Sequence, residues 1–379
     1  MRQGYASVVF VSVLAAALAL AALGAHTVSV AVTRSFGQDW RVAQARLAAD
    51  TGIERALRML LADPQWRDGD RCTGPVCHGA EVERVEVLQQ GSLLRVVSVG
   101  KAGGVRRTAW AVVRPGLVPL LGSFGGGIKV LGGQVLEVSG SANLESDVLA
   151  VGGLLLWGSP SVGTAEKPRT VYAVGDVAGK KQTVFGDVYA TGTVSPGVAT
   201  GREVSGWVPA GPLPSPEDVG QLLELARLQA EYLGQVYPAG RVFTAGDLTL
   251  LRGVVFVEGD VVITGGNTDA RAALCASGSI RVYGNLDAPR LLLLAGEDVD
   301  LSNSTRVRVA AVVARGSVGW GGTGGGRGSL VCEYGALVAS ELNGNFVRGN
   351  VRLRQDDSIS LQGLAGPVHS LEVVERGGD

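Results

Sequence analysis

Short segments recur along the second half of this chain at a fixed interval. GDVVIT from Gly259, GSIRVY from Gly278, EDVDLS from Glu297, GSVGWG from Gly316 and GALVAS from Gly335 each start 19 residues after the one before. A second run keeps the same period: AALCAS, LLLLAG, AAVVAR and SLVCEY precede the turns. Self-similarity at a period near 20 residues marks stacked repeats, in which each unit buries its apolar face only against its neighbours. The repeats therefore predict a β-solenoid of 19-residue rungs. Alternation along a strand points Val261, Ile263, Ile280, Val282, Val299, Leu301 and Val318 inward, and Val262, Arg281, Asp300, Val338 and Arg352 outward. Cys275 and Cys332 then share one phase three rungs apart, about 14 Å, too far for a disulfide.

Earlier copies, SDVLAV at Ser146, GDVAGK at Gly175 and GDVYAT at Gly186, are irregularly spaced and predict wider rungs. Between the two blocks, residues 215–236 read as an inserted helix. Ser215 stands at its N-cap, Pro216 in its first turn, and Val219, Leu222, Leu223, Ala226, Ala230 and Leu233 form one apolar face. The rungs are expected over 117–366.

The amino terminus differs in kind. After Arg2 no Lys, Arg, Asp or Glu appears until Arg34, a stretch longer than the roughly 20 apolar residues that cross a bilayer. Helical spacing then continues to about residue 63. Phe36, Trp40, Ala43 and Leu47 form one stripe, Ala49, Ile53, Leu57 and Leu60 the next, and Pro64 follows. A secretory signal, a plain anchor with a stalk, and a filament-forming helix all fit this pattern. Three strand-like runs over 64–116 follow, VERVEVLQQ, LLRVVSVGKA and VRRTAWAVVRP, the last two joined as a hairpin.

The start MRQGYASVVF, with AADTGIERALRMLL and the hairpin SVGKAGGVRRTAWAVV, resembles the amino-terminal module of type IV minor pilins of the PilX/GspK-like class. The resemblance covers residues 1 to 115. It implies an α+β pilin fold, a long helix on a small antiparallel sheet, here carrying a large inserted β-solenoid. It also implies a leader of residues 1–4 cut between Gly4 and Tyr5, and a helix over 5–63 whose first half is transmembrane. The strand HSLEVVER within 367–379 is expected to return to the sheet. Val9 stands where major pilins carry Glu, as in minor pilins placed at a filament tip. The implied partners are prepilin peptidase, other major and minor pilins, and the inner membrane before assembly into an extracellular pilus. The plan of pilin plus solenoid resembles competence-associated minor pilins, which implies a role in natural transformation with double-stranded DNA as ligand. Structural priming or adhesion, or the tip of a type II secretion system, are the alternatives.

Chemistry is sparse. His26, His78 and His369 are scattered, and no acid–base, metal or cofactor motif occurs; an enzyme is not expected. Cys72 and Cys77, around CTGPVC, predict a loop disulfide. GWGGTGGGRGS at 319–329 lacks the ending of a phosphate loop. EDVD at 297–300 and RQDD at 354–357 read as solvated acidic turns. One charge asymmetry stands out: 34 basic and 35 acidic residues balance overall, yet residues 301–355 hold Arg306, Arg308, Arg315, Arg327, Arg348, Arg352 and Arg354 against Glu333 and Glu341. These seven arginines are the candidate DNA contacts, with Arg306/Arg308 and Arg352/Arg354 sharing outward faces.

Overall fold

The computed structural model describes residues 3–62, 66–77, 79–117, 127–301, 304–320, 329–343, 347–359 and 369–378. The chain divides into two compact units, one formed by Met1–Leu57, Arg67–Arg114 and Val373–Asp379, the other by Arg58–Trp66 and Pro115–Glu372.

In the first unit, helix α1 (Gln3–Ala62) runs for 60 residues. Its second half packs through small side chains: Ala45, Ala48, Ala49, Ile53 and Ala56 are fully buried. The approach is close because glycines face it. A Cβ on Gly52 would strike Ser98 and Val82, and one on Gly100 would strike the backbone of Ala45 and Ala49. The first stripe faces solvent: Phe36, Trp40 and Leu47 are exposed. Ala-rich spacing, which permits close contact with a sheet, outweighs the bulkier stripe. The sheet has five strands in the order Gly74–Cys77, Ala80–Gln90, Leu93–Ala102, Val105–Leu117 and His369–Gly378. The first four of these strands pair antiparallel, each with the next. Arg376 on the last strand reaches Glu54 at 3.0 Å and Asp50 at 3.4 Å.

The expected fold class needs correction in the second unit. Strands dominate the chain, and among the described residues they join into one sheet of 19 strands and another of four, without a closed solenoid. The third side of each turn is the reason. It is paired mainly across the first block, through Leu136–Gly140, Leu154–Leu156 and Val177–Ala178, with the two residues Arg348–Gly349 joining from the second. Elsewhere long strands such as Ile280–Ala295 run through the corner and merge neighbouring faces.

The 19-residue offset does appear in the register. Val254 faces Ala273, Ala273 faces Leu292 and Leu292 faces Ala311, all parallel. The next step is longer: Ala311 faces Ala336, across the glycine-rich segment. GALVAS is therefore out of phase with the copies before it. Cys275 lies in the column of Phe256, Leu294, Val313 and Val338, whereas Cys332 pairs between Val307 and Leu353. The seven predicted inward residues are all fully buried. Val338, predicted outward, is buried too, under a helix.

The order of the stack does not follow the chain. Gly127–Val130 pairs on one side with Val148–Val151, from which the rungs proceed through Val171–Val174 and Val188–Ala190 to Glu203–Ser205. On its other side it pairs with Leu330–Ala339, the last long strand of the second block. The chain enters mid-stack, builds outward to one end, and must return from the opposite end.

Helix α2 (Pro216–Leu233) is the return strut. Ser215 donates its backbone N–H to Asp218 at 2.7 Å, closing a capping box, and Gly234 ends the helix at φ 66°. Its 18 residues span about 27 Å. The rungs from Val236–Tyr237 to Ala336–Ala339 make five steps, about 24 Å. Val219, Leu222, Ala226 and Ala230 bury the outer columns from Val254 and Phe256 to Ala336 and Val338. Past the helix the same column carries Lys129, fully buried between Val338 and Leu149. Burial pulls its amine down to about 7.

A recurring clamp joins neighbouring turns. Asp176, Asp187, Asp260 and Asp298, each just before a Val, accept the backbone N–H of Thr193, Arg202, Ser279 and Ser317 on the next rung at 2.6–2.9 Å. The residue ahead of each donor is Gly192, Gly201, Gly278 or Gly316, and a Cβ there would enter the carboxylate's space. Gly278→Ala is therefore expected to destabilise the fold by roughly 1–3 kcal/mol, the cost of overpacking. Thermal unfolding followed by circular dichroism reads it; an unchanged midpoint removes the clamp as a constraint.

Candidate functional site: an arginine–carboxylate face

Alternation in the strands Arg306–Ala314, Leu330–Ala339, Val351–Gln355 and Asn143–Glu145 brings their polar residues onto one exposed face. In one column Asp287, Arg308, Glu333, Arg354 and Glu145 follow each other on successive rungs. Their charges alternate in sign. In the adjacent column Arg306, Val331, Arg352, Asn143 and Ser161 align.

The guanidinium groups are engaged within the face. Glu333 accepts from Arg306 at 2.9 Å and from Arg354 at 3.3 Å. Glu145 pairs with Arg352 at 3.0 Å and lies 3.8 Å from Arg354. Arg308 donates twice to Asp356, at 2.8 and 3.1 Å. Arg169, its side chain largely buried, reaches Gln355 at 3.4 Å and Asp357 at 3.5 Å. Burial works to raise the Asp356 carboxyl, but hydrogen bonds from Ser358 and Arg308 outweigh it and leave the group below its usual range. Arg306, hydrogen-bonded to Glu333, is held above its ordinary value.

Four of the seven predicted arginines, Arg306, Arg308, Arg352 and Arg354, thus lie together. Arg315 is exposed elsewhere, near Gly220 of α2. Arg348 pairs through its backbone with Ser139 on the smaller sheet. Arg327 lies outside the described residues, as does most of the glycine-rich segment. The neutralising carboxylates were hidden by distance along the chain: Glu145 is about 200 residues before its partners. RQDD supplies Asp356 and Asp357, and Asp298 of EDVD is a rung clamp.

The Gly4–Tyr5 bond lies in the first turn of α1. Among the described residues no helix is long and apolar enough to cross a membrane, and most side chains of the apolar first half fall outside the description. Cys72 and Cys77 stand as separate thiols in place of the expected disulfide. Cys72 is buried in a short turn, and burial pushes its thiol up to about 11 against the lowering charge of Arg55, which also donates to the Cys72 carbonyl; Cys77 sits in the half-exposed strand beyond. Among the described residues no group of three or more His, Cys, Asp or Glu is placed to hold a metal.

No family model and no curated protein matches the sequence. Among solved structures the chain is similar to the crystal structure of the competence-associated pilin ComZ from Thermus thermophilus. The identity is 13% and the TM-score 0.40, over 89% of this chain and 97% of that one.

Glu333, about 10% exposed at its side chain, serves two arginines. Glu333→Gln is expected to cost about 1–3 kcal/mol, because two guanidinium groups lose their charged partner. Arg306→Ala, removing a side chain 62% exposed, should leave the unfolding midpoint nearly unchanged. Equal effects from the two, by thermal denaturation, would dissolve the network as a structural element.

Proposed function

We propose that this chain is a minor type IV pilin whose second unit meets an extracellular ligand. The observation that supports the reading most is the junction of α1 with its sheet. A helix of 60 residues, apolar first and amphipathic later, lays a small-residue face on a five-stranded sheet that includes the chain's last strand. With the MRQGY start this suits a subunit that exchanges bilayer for filament: prepilin peptidase acts between Gly4 and Tyr5, and other pilins pack on the helix. Val9, where a carboxylate would pair with a neighbour's terminal amine, favours a place at the filament tip. Double-stranded DNA during natural transformation is the ligand carried by the sequence resemblance.

Mass spectrometry of the mature protein from its native host is expected to find Tyr5 at the amino terminus. A start beyond Ala25 restores an ordinary signal peptide and overturns the pilin reading.

The charge balance of the arginine face favours a second reading, a priming or adhesive subunit that does not hold DNA. Each guanidinium engaged by a carboxylate contributes little net field for phosphate. In gel-shift assays with the mature chain and duplex DNA, that reading predicts no binding by the parent; where the parent does bind, an Arg306→Ala/Arg308→Ala/Arg352→Ala variant should bind within about two-fold of it, since the neutralised face contributes little. A loss of ten-fold or more would return the face to the role of DNA contact.

A further inference from the structure

A second set of arginines lies at the corner of the rungs. Arg252 pairs in register with Arg271, and Arg290 occupies the same position one rung on, immediately before the Ala272–Leu291 pair. All three are exposed. Successive rungs are about 4.8 Å apart, so the three guanidinium groups line about 10 Å of the stack. Two residues further along each strand, Val254, Ala273 and Leu292 lie beneath α2. The arginines therefore form a ridge along the flank of that helix.

This ridge differs from the arginine–carboxylate face in one respect that matters. Among the described residues neither Arg271 nor Arg290 has a carboxylate partner, and Arg252 donates only to the carbonyl oxygens of Thr249 and Leu251, at 2.6 and 2.7 Å. The nearby Asp269 makes no ion pair with them among the described residues. Like charges directly opposite on neighbouring strands destabilise a sheet, and here three stand in sequence with no ion-pair partner among the described residues. Arginine is weakly hydrated and offers a planar fork that meets a phosphate through two hydrogen bonds.

We infer that the Arg252–Arg271–Arg290 ridge is a docking site for a linear phosphate polyanion lying along the stack axis. Charge complementarity commits the occupant. A single phosphate would satisfy one guanidinium and leave the others repelling, whereas a chain with closely spaced phosphates meets all three. The inference deepens the ligand-binding reading of the second unit and rests on it, but assigns the contact to different residues. The period that stacks the rungs also aligns the charges.

The test uses the full mature chain with duplex DNA, measuring affinity by fluorescence anisotropy between 50 and 200 mM salt. Long-chain inorganic polyphosphate serves as competitor. Three neutralised phosphates predict a log–log slope of about −2.7, a loss of roughly forty-fold across that range. Arg271→Gln/Arg290→Gln removes two contacts, so its loss should fall to about three- to four-fold. The variant should unfold at or above the parent's midpoint, which separates lost contact from lost fold. Displacement by polyphosphate is expected if phosphate charge is what the ridge reads; failure to displace overturns that chemistry. DNA binding with the same salt slope in the variant overturns the ridge and leaves the ligand-binding reading standing. Absence of DNA and polyphosphate binding at 50 mM salt overturns both.

Discussion

The parallel pairing of Leu330–Ala339 with Gly127–Val130 is the joint on which the second unit depends. Together with the pairing of Val351–Gln355 on Asn143–Glu145, it joins what would otherwise be two short stacks, each with an open inner edge of unpaired backbone groups. Such edges are templates for unwanted strand pairing. The joint turns the two blocks into one continuous sheet whose ends are very short strands, Glu203–Ser205 at one and Val236–Tyr237 at the other. It also explains α2. A chain that starts in the middle and finishes in the middle must cover the distance between ends once, and an 18-residue helix is about as long as the rungs it crosses.

The arginine–carboxylate face lies across this joint. Arg352 and Arg354 come from the last rungs, and Glu145 from the first. The face has the form of a register device: a one-rung shift that brought Glu145 beside Glu333 would oppose like charges and take Glu145 from its place beside Arg354. Local charge counts over residues 301–355 point to a cationic surface, but a sheet assembled from distant segments is neutralised by residues that such a window excludes. The corner arginines, by contrast, have no ion-pair partner among the described residues. Net charge along the sequence and net charge on a surface are different quantities when strands from two blocks interleave.

Much of the architecture was legible in the residues. The 19-residue offset persists in the register from Val254 to Ala311, and inward residues such as Ile263 and Val282 are buried. The cap and apolar face of α2 also stand where Ser215 and Val219 put them. The reading failed where length or packing changed. Six extra residues in the step from Ala311 to Ala336 moved GALVAS and Cys332 out of phase, and Val338 went under a helix. In α1 the bulky stripe of Phe36 and Trp40 is exposed and the alanines are buried, because approach distance to Gly100 decided the packing.

The sequence by itself determined the local chemistry of repetition: Val at alternate positions, Asp before Val at the turns, Gly ahead of the residue that bonds it. These are short-range rules, since each concerns a residue and the next rung. Tertiary structure alone decided which rung is next. That the first rung of the chain should pair with the last, and that Glu145 should neutralise Arg352, follows from closing two open edges against each other. This is a global free-energy condition, and no local window contains both partners.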